Sequence, residues 1–279
     1  MDISEIDYEL PSELIAQTPI EPRDAARLMV ASNEVIEHRI VRDITSYLQP
    51  GDVVVVNHTR VLPARLKLKR KTGGAVEVLL LEMVNEETLE WDALVRPGGK
   101  LDLGEELVDV QGRAILVIGA RSQAGDTFMV QFLANSDQEM MDILMSIGEL
   151  PLPPYITTSL HDKDRYQTVF SHDQKSSAAP TAGLHFTPEL LNNIRAMGVE
   201  ICEVELVVGL DTFKPISVDN PLNHVIHSES YHVPQETFDR CLLAKSNGCR
   251  VIAIGTTATR ALESAATFES LSGRTNLFI

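Results

Sequence analysis

The chain has 279 residues, 44% of them hydrophobic and 23% charged, and its formal net charge at pH 7 is −16. This is the composition of a soluble globular protein and excludes a disordered or fibrous chain. The acidic balance also argues against indiscriminate binding of polyanions, because a carboxylate-rich surface repels phosphates.

We expect neither a membrane span nor a secretory signal. The longest apolar runs are far shorter than the roughly 20 residues that cross a bilayer. The first ten residues hold four acids and no base, unlike an export signal. Cys202, Cys241 and Cys249 are widely spaced and form no CxxC pair, which argues against a disulfide framework or a thiolate metal site. We therefore expect a cytosolic protein.

The first 60 residues mix short helical and strand signals and end in a buried strand. Residues 51–57 read Gly-Asp-Val-Val-Val-Val-Asn, an apolar run typical of a strand that is covered on both faces.

A basic segment follows this strand. Residues 60–72, RVLPARLKLKRKT, hold six positive side chains and no acid. The cations of this segment alternate with leucines at the period of a strand, which places four of them on one sheet face: Arg65, Lys67, Lys69 and Lys71. That face suits phosphate groups. The alternative is a solvated strand, or an edge strand that its lysines protect against mispairing.

From residue 61 to about 135 the chain is rich in short β segments. Turn signals such as Gly73-Gly74 and Pro97-Gly98-Gly99 separate them, as in a small antiparallel barrel or sandwich. We predict a mixed α+β fold. An α/β domain, residues 1–60 and 150–279, is interrupted by an inserted small antiparallel β-barrel domain, residues 61–149.

A helix is predicted over 138–148, at the end of the inserted domain and before the proline-rich residues 150–155. The second part of the α/β domain also holds clear helix signals. Thr187-Pro188 is a helix start with threonine as N-cap, and Gly198 ends that helix. A further helix is predicted over 236–247.

A short buried strand over 251–254 leads through Gly255, Thr256 and Thr257 into a helix beginning near Ala258. The free amides and the dipole of such a helix start favour a carboxylate or phosphate, and Arg260 lies one turn in. The alternative is ordinary capping of the helix by threonine.

Two groups of histidines are candidates for chemistry. His185 lies in the turn Thr181-Ala-Gly183-Leu-His-Phe186, where glycine permits close backbone approach and histidine can exchange a proton near neutral pH; the alternative is a structural histidine. The second group is His224, His227 and His232. Its spacing fits no common zinc pattern, so we predict no metal.

Seven ordered blocks of this chain resemble one family, the S-adenosylmethionine:tRNA ribosyltransferase-isomerases of queuosine biosynthesis. The blocks extend along almost the whole chain and are residues 57–66 (NHTRVLPARL), 148–156 (GELPLPPYI), 164–169 (DRYQTV), 178–186 (AAPTAGLHF), 209–215, 227–229 (HSE) and 255–264.

The resemblance implies transfer and isomerisation of the ribosyl moiety of S-adenosylmethionine onto 7-aminomethyl-7-deazaguanine at the tRNA wobble position. The product is epoxyqueuosine, and adenine and methionine are released. The implied partners are S-adenosylmethionine, as co-substrate, and the tRNA anticodon stem-loop; no metal and no further cofactor are implied. An α/β domain with an inserted β-barrel is also the fold that the resemblance implies.

Set against this reaction, the matching residues divide into three groups. The expected catalytic residues are His185, His227 and Glu229. The expected substrate-binding residues are Thr181, Gly183, Phe186, Phe213, Gly255, Thr256, Thr257 and Arg260. The expected tRNA-binding residues are Arg60, Arg65, Lys67, Lys69 and Lys71. Which histidine is the general acid and which the base stays open.

The chain departs from the family pattern at three places. Val207 stands where the family usually has a histidine, Asp211 stands where a glycine is expected, and relatives continue beyond Ile279 with an Asn-Phe-His-Leu-Pro motif. We therefore expect a C-terminally short member, and the alternative is a catalytically weakened relative that only binds tRNA.

Overall fold

The computed structural model describes residues 3–5, 7–32, 35–122, 125, 127–158, 160, 162–209, 220, 226 and 228–279. The chain divides into two compact units. Unit 1 comprises Met1–Arg60, Pro153–Asp173 and Ala179–Ile279, and unit 2 comprises Val61–Leu152 and Gln174–Ala178.

Strands predominate over helices in the described residues. The strands are β1 (Arg27–Ser32), β2 (Val35–Ile40), β3 (Val53–Asn57), β4 (Thr59–Val61), β5 (Arg65–Arg70), β6 (Ala75–Asn85), β7 (Glu90–Arg96), β8 (Glu106–Val108), β9 (Ala114–Arg121), β10 (Phe128–Phe132), β11 (Asp173–Ser176), β12 (Glu200–Leu206), β13 (Glu229–His232), β14 (Val251–Ala253) and β15 (Ser272–Thr275). The α-helices are α1 (Asp137–Ile147), α2 (Pro188–Ala196), α3 (Gln235–Ser246) and α4 (Gly255–Thr267). No helix of the described part is long and apolar enough to cross a membrane.

Unit 1 is built on a five-stranded sheet of order β14-β3-β12-β13-β15. β14, β3 and β12 are parallel, and β13 and β15 are antiparallel to their neighbours. Every residue of β3 is buried, as the apolar run predicts. Parallel strands of this kind need helices on the sheet to cover them.

Helix α2 covers one face of this sheet. Side chains alternate along a strand, so Val54 and Val56 of β3 share a face, and they pack with Leu190 and Ile194 of α2 in one buried cluster. Burial of each such side chain contributes roughly 1.5–3 kcal/mol. The helix begins as predicted, because the Thr187 hydroxyl accepts a hydrogen bond from the Leu190 amide.

An ion pair between a buried carboxylate and a half-exposed guanidinium joins the N-terminal ends of β3 and β14. The Arg250 guanidinium donates to both carboxylate oxygens of Asp52, at 3.3 and 2.5 Å, and the amide of Gln49 also donates to this carboxylate. These hydrogen bonds, the one from the Arg250 side chain foremost, lower the pKa of Asp52. The Asp52 carboxylate therefore stays charged and fixes two strands that lead to candidate site residues.

Unit 2 contains a closed antiparallel barrel of order β10-β7-β6-β5-β8-β9. Leu66 and Leu68 of β5 point into the barrel, whereas Lys67 and Lys69 point outward. The mixed α/β class with a small antiparallel barrel is confirmed.

The unit boundaries differ in detail from the predicted domains. Unit 2 also takes in residues 150–152 and 174–178, which the sequence assigns to the α/β domain. The hydroxyl of Ser177 explains part of this difference, because its oxygen lies 2.7 and 2.8 Å from the carbonyl oxygens of Leu80 and Leu81, which share its one proton.

Candidate functional site

The turn that holds His185 and the start of α4 lie side by side in unit 1. Thr181–His185 form one 3-10 turn. Gly255 begins α4 with φ +86°, and a Cβ on this glycine would lie 3.1 Å from the Cβ of Ala182. Glycine is needed here for its backbone conformation and for this close approach. The Thr181–His185 turn and the start of α4, which the sequence indicates as two separate candidates, are therefore in contact.

Gly183 is buried in the middle of the same turn. A Cβ at this position would come within 2.6 Å of the Phe170 ring and 3.0 Å of the Thr168 methyl group. Phe186, which follows the turn, is also buried and packs with α2 and with the edge of Phe170. The structure thus places Gly183 and Phe186 beneath the turn, where they fix its position, and Thr181 on its exposed side.

His185 reaches solvent at the end of the turn. Neighbouring atoms nevertheless remove part of its hydration, and this desolvation lowers the pKa of its imidazole; the nearby cation of Arg165 lowers it further. Arg165 is itself held in place, since it pairs with the carboxylate of Glu21 and donates to the Ile20 carbonyl at 2.6 Å. A neutral imidazole at pH 7 is able to accept a proton.

Arg23 anchors the backbone just before His185. Its guanidinium donates to the carbonyls of Gln167, Asp164 and Leu184, at 2.5, 2.8 and 3.4 Å. These contacts tie the 164–167 segment to the turn. Sequence reasoning missed Arg23 because no local motif marks it: its partners lie 141 to 161 residues further along the chain.

Glu229 and Arg260, which the sequence assigns to catalysis and to substrate binding, bind each other. Arg260 donates to one carboxylate oxygen of buried Glu229, and the amide of Gly209 donates to the other at 2.9 Å. Charge-assisted hydrogen bonds of this kind are stronger than those between neutral groups. Through these contacts the Glu229 carboxylate links β13, α4 and the residues after β12.

The first turn of α4 presents Thr256 and Thr257. Thr256 is exposed, and the Thr257 hydroxyl is buried with no hydrogen-bond partner among the described residues. The residue before the helix is Ile254, so no side chain caps this end and the threonine cap considered from the sequence is not observed. The helix also begins earlier than predicted, at Gly255.

Two predicted site residues, His227 and Phe213, lie outside the described residues. So do His224 of the second histidine group and Asp211, which stands where the family has a glycine. His232 of the same histidine group is on β13, with its Nδ1 2.6 Å from the Ser272 hydroxyl. Val207 is buried, and its amide donates to the Ser230 carbonyl at 2.9 Å.

Strand β5 carries most of the basic segment on the outer face of the barrel of unit 2. β5 lies between β6 and β8 in a closed barrel, so it is not an edge strand, and the alternative that remains is a solvated strand. β5 ends at Arg70, so Lys71, which the sequence predicts on the strand, lies in the following turn.

Acidic neighbours pair with much of this positive charge. The ion pairs are Lys67 with Glu149 at 2.8 Å, Lys71 with Glu106 at 2.7 Å, Arg70 with Glu105 at 2.5 Å and, in unit 1, Arg60 with Asp164 at 2.9 Å. Lys69 is exposed and has no acidic partner in the part of the chain that the structure describes, and the backbone of Arg65 bridges to Glu149. Exposed pairs such as Lys67–Glu149 and Lys71–Glu106 contribute only about 0–1 kcal/mol each, whereas the Arg70–Glu105 pair is bidentate and only partly exposed.

Comparisons with known proteins agree on one family. The family described as "Queuosine biosynthesis protein" matches residues 3–279. Relatives from Clostridioides difficile (strain 630), at 47% identity, and from Thermotoga maritima and Staphylococcus aureus (strain JH9), at 45%, are named S-adenosylmethionine:tRNA ribosyltransferase-isomerase. Each match covers 100% of this chain and 82% of the relative.

A crystal structure of S-adenosylmethionine tRNA ribosyltransferase from Thermotoga maritima matches 99% of this chain and 78% of its own, with 36% identity and a TM-score of 0.47. The family match and the full-length relatives lead to one conclusion: the chain belongs to the queuosine biosynthesis protein family.

Proposed function

We propose that this protein transfers and isomerises the ribosyl moiety of S-adenosylmethionine onto 7-aminomethyl-7-deazaguanine at the tRNA wobble position. The product is epoxyqueuosine, and adenine and methionine leave. The observation that carries this proposal is the match of the whole chain, at 45–47% identity, to relatives named for this enzyme. The contact between the His185 turn and the start of α4 supports the proposal, because a proton acceptor lies close to a helix N-terminus that favours an anion.

His185 is the residue we assign to the first proton transfer. The sulfonium of S-adenosylmethionine acidifies the hydrogens on C5′, so a neutral base within hydrogen-bond reach starts the reaction. The lowered pKa of His185 keeps its imidazole neutral at pH 7. His227 is the second candidate, for protonation that helps adenine leave.

The start of α4 is the place we assign to the methionine carboxylate. The free amides of a first helical turn and the helix dipole favour an anion there. The buried hydroxyl of Thr257 has no described partner and is a further donor for this carboxylate. Gly255 keeps the space above Ala182 open, and the Arg260–Glu229 pair holds the helix in position.

The outer face of β5 is the surface we assign to the anticodon stem-loop. Phosphate contacts dominate affinity for nucleic acids and make it salt-dependent. On unit 2, Arg65, Lys67, Lys69 and Lys71 supply these contacts, Lys67 and Lys71 after exchange of their acidic partners. Arg60 of unit 1 is a separate candidate for a phosphate contact. In this proposal the enzyme works in the cytoplasm and its ribosyl-transfer chemistry uses no metal and no cofactor beyond S-adenosylmethionine.

Incubation with S-adenosylmethionine labelled in adenine, together with tRNA that carries 7-aminomethyl-7-deazaguanine, tests the proposal. We expect release of free adenine that depends on both substrates. Tight binding of the tRNA without adenine release would establish the alternative, a relative that only binds tRNA. Formation of S-adenosylhomocysteine would instead identify a methyltransferase.

A further inference from the structure

Three side chains that commonly bind metals converge in unit 1, at residues to which the proposed reaction assigns no role. His58 follows β3, His172 precedes β11, and Glu203 lies on β12. Their ligand atoms all lie within 4.8 Å of one another. The three residues are far apart in the chain, so their spacing forms no sequence motif. From the sequence, metal binding is considered only at another group, His224, His227 and His232.

The backbone holds the three segments together. The amide of His172 donates to the carbonyl of His58 at 3.1 Å, and the amide of His58 donates to the carbonyl of Val204, next to Glu203, at 3.1 Å. The backbone positions of the three residues are therefore fixed relative to one another. Less entropy is lost on binding an ion when the backbone that carries the ligands is already ordered.

The three side chains are in contact, and rotation of one ring is needed for them to bind one ion. His172 Nε2 lies 3.0 Å from Glu203 Oε2, and the rings of His58 and His172 stack with centroids 4.2 Å apart and planes 8° apart. A metal ion lies near the plane of each imidazole that binds it, so one of two parallel rings must turn to share an ion. His58 is buried, whereas 55% of the His172 side chain is exposed, so His172 is the ring that can turn about its Cβ–Cγ bond.

One side of the cluster is open. His172 and Glu203 line a groove of about 410 Å³ together with Ser171, Asn192 and Arg195. Three protein ligands with a fourth position open to water are the arrangement of zinc sites that keep an exchangeable ligand.

We propose that His58, His172 and Glu203 bind one Zn²⁺ ion, with water as the fourth ligand on the groove side. Two imidazole nitrogens and one carboxylate oxygen are donors that Zn²⁺ accepts at roughly 2.0–2.2 Å. Ligand atoms in such a tetrahedron lie roughly 3.4 Å apart, a contraction that rotation of His172 and Glu203 supplies. The site is separate from the residues assigned to ribosyl transfer, so it stands or falls independently of the proposed function.

The full chain is first treated with a chelator, and Zn²⁺ binding is then measured by calorimetric titration. A parallel sample is titrated with Co²⁺, whose absorption spectrum reports the ligand geometry. We expect one ion per chain, visible d–d absorption of the Co²⁺ complex, and a rise in Tm with Zn²⁺ because the ion binds the folded state. His172→Gln retains a donor for Glu203 but removes the imidazole ligand. In this variant we expect at least a tenfold loss of Zn²⁺ affinity and a smaller rise in Tm at the same Zn²⁺ concentration.

Two surface histidines supply matched controls. His38→Ala, at an exposed position on β2, should bind Zn²⁺ as the parent does. His232→Ala tests the other histidine group and should also leave binding unchanged. Absence of one-to-one binding, equal affinity in His172→Gln and the parent, or loss of binding in His232→Ala would each overturn the assignment. Equal Tm values of the metal-free parent and His172→Gln exclude misfolding as the cause of any loss.

Discussion

The His185 turn of unit 1 and the basic face of unit 2 solve different physical problems. In the turn, buried contacts and backbone hydrogen bonds fix the groups: Gly183 lies against Phe170, and Arg23 binds three carbonyls. On the barrel face, exposed ion pairs such as Lys67–Glu149 hold the cations weakly. Chemistry needs a fixed geometry, whereas capture of a phosphate backbone needs charges that exchange partners easily.

Of the changes predicted here, replacement of His185 should have the largest effect on activity. We expect His185→Ala to reduce adenine release by about 10²–10⁴-fold, the usual contribution of a general base. Affinity for tRNA should stay nearly unchanged, because the imidazole is neutral and does not hold phosphate. Steady-state turnover and tRNA binding measure the two effects, and His38→Ala is the control. Unaltered adenine release would remove His185 from the mechanism.

A pair of glycine substitutions tests how tightly the turn is packed. Gly183→Ala introduces a Cβ within 2.6 Å of the Phe170 ring and should lower the free energy of unfolding by about 1–3 kcal/mol. Gly99→Ala in unit 2 meets no atom within 4 Å and should stay within about 0.5 kcal/mol of the parent. Denaturant titration of both variants measures the difference. Equal stabilities would contradict the close packing described for the turn.

Charge reversal on the barrel face should weaken tRNA capture and spare the chemistry. We expect Lys67→Glu combined with Lys69→Glu to reduce tRNA affinity roughly tenfold and to lower the slope of log affinity against log salt by about 1 per lysine. Binding assays at several salt concentrations measure both quantities. Glu149→Gln, which removes the partner of Lys67, should instead strengthen binding slightly. Unchanged affinity in the double reversal would exclude this face as the docking surface.

The smallest expected effect is a shift in the pH profile. His185 must be neutral to act as a base. Because its pKa is lowered from the ordinary histidine value of 6.5, activity should fall only at pH values below 6.5. Arg165→Gln removes a cation that lowers this pKa, so the pKa rises and the acidic limb moves to higher pH. The pH dependence of kcat/KM measures the shift. A limb that stays in place, with Tm preserved, would show that another group controls it.

Local signals predict local structure well in this chain. The valine run of β3 and the Thr187-Pro188 start of α2 each depend on neighbouring residues, and both are observed. The alternation of lysine and leucine in β5 likewise predicts which side chains face outward. The barrel itself is predicted by the series of short segments between turn signals, but the order of its strands is not, because strand order depends on pairings far along the chain.

Long-range pairings could not be predicted from the sequence. Glu229 and Arg260 are both recognisable as site residues, yet their mutual ion pair follows only from the placement of α4 beside β13. The three carbonyl contacts of Arg23 and the convergence of His58 with Glu203 are of the same kind. Residues that are far apart in the chain and meet only in the folded protein form no local sequence motif.

The most direct test of the central claim is mass analysis of the wobble nucleoside after tRNA bearing 7-aminomethyl-7-deazaguanine has reacted with S-adenosylmethionine and this protein. Our account predicts conversion to epoxyqueuosine, with one adenine and one methionine released for each nucleoside converted. An unchanged wobble nucleoside, or a methylated one accompanied by S-adenosylhomocysteine, would contradict it.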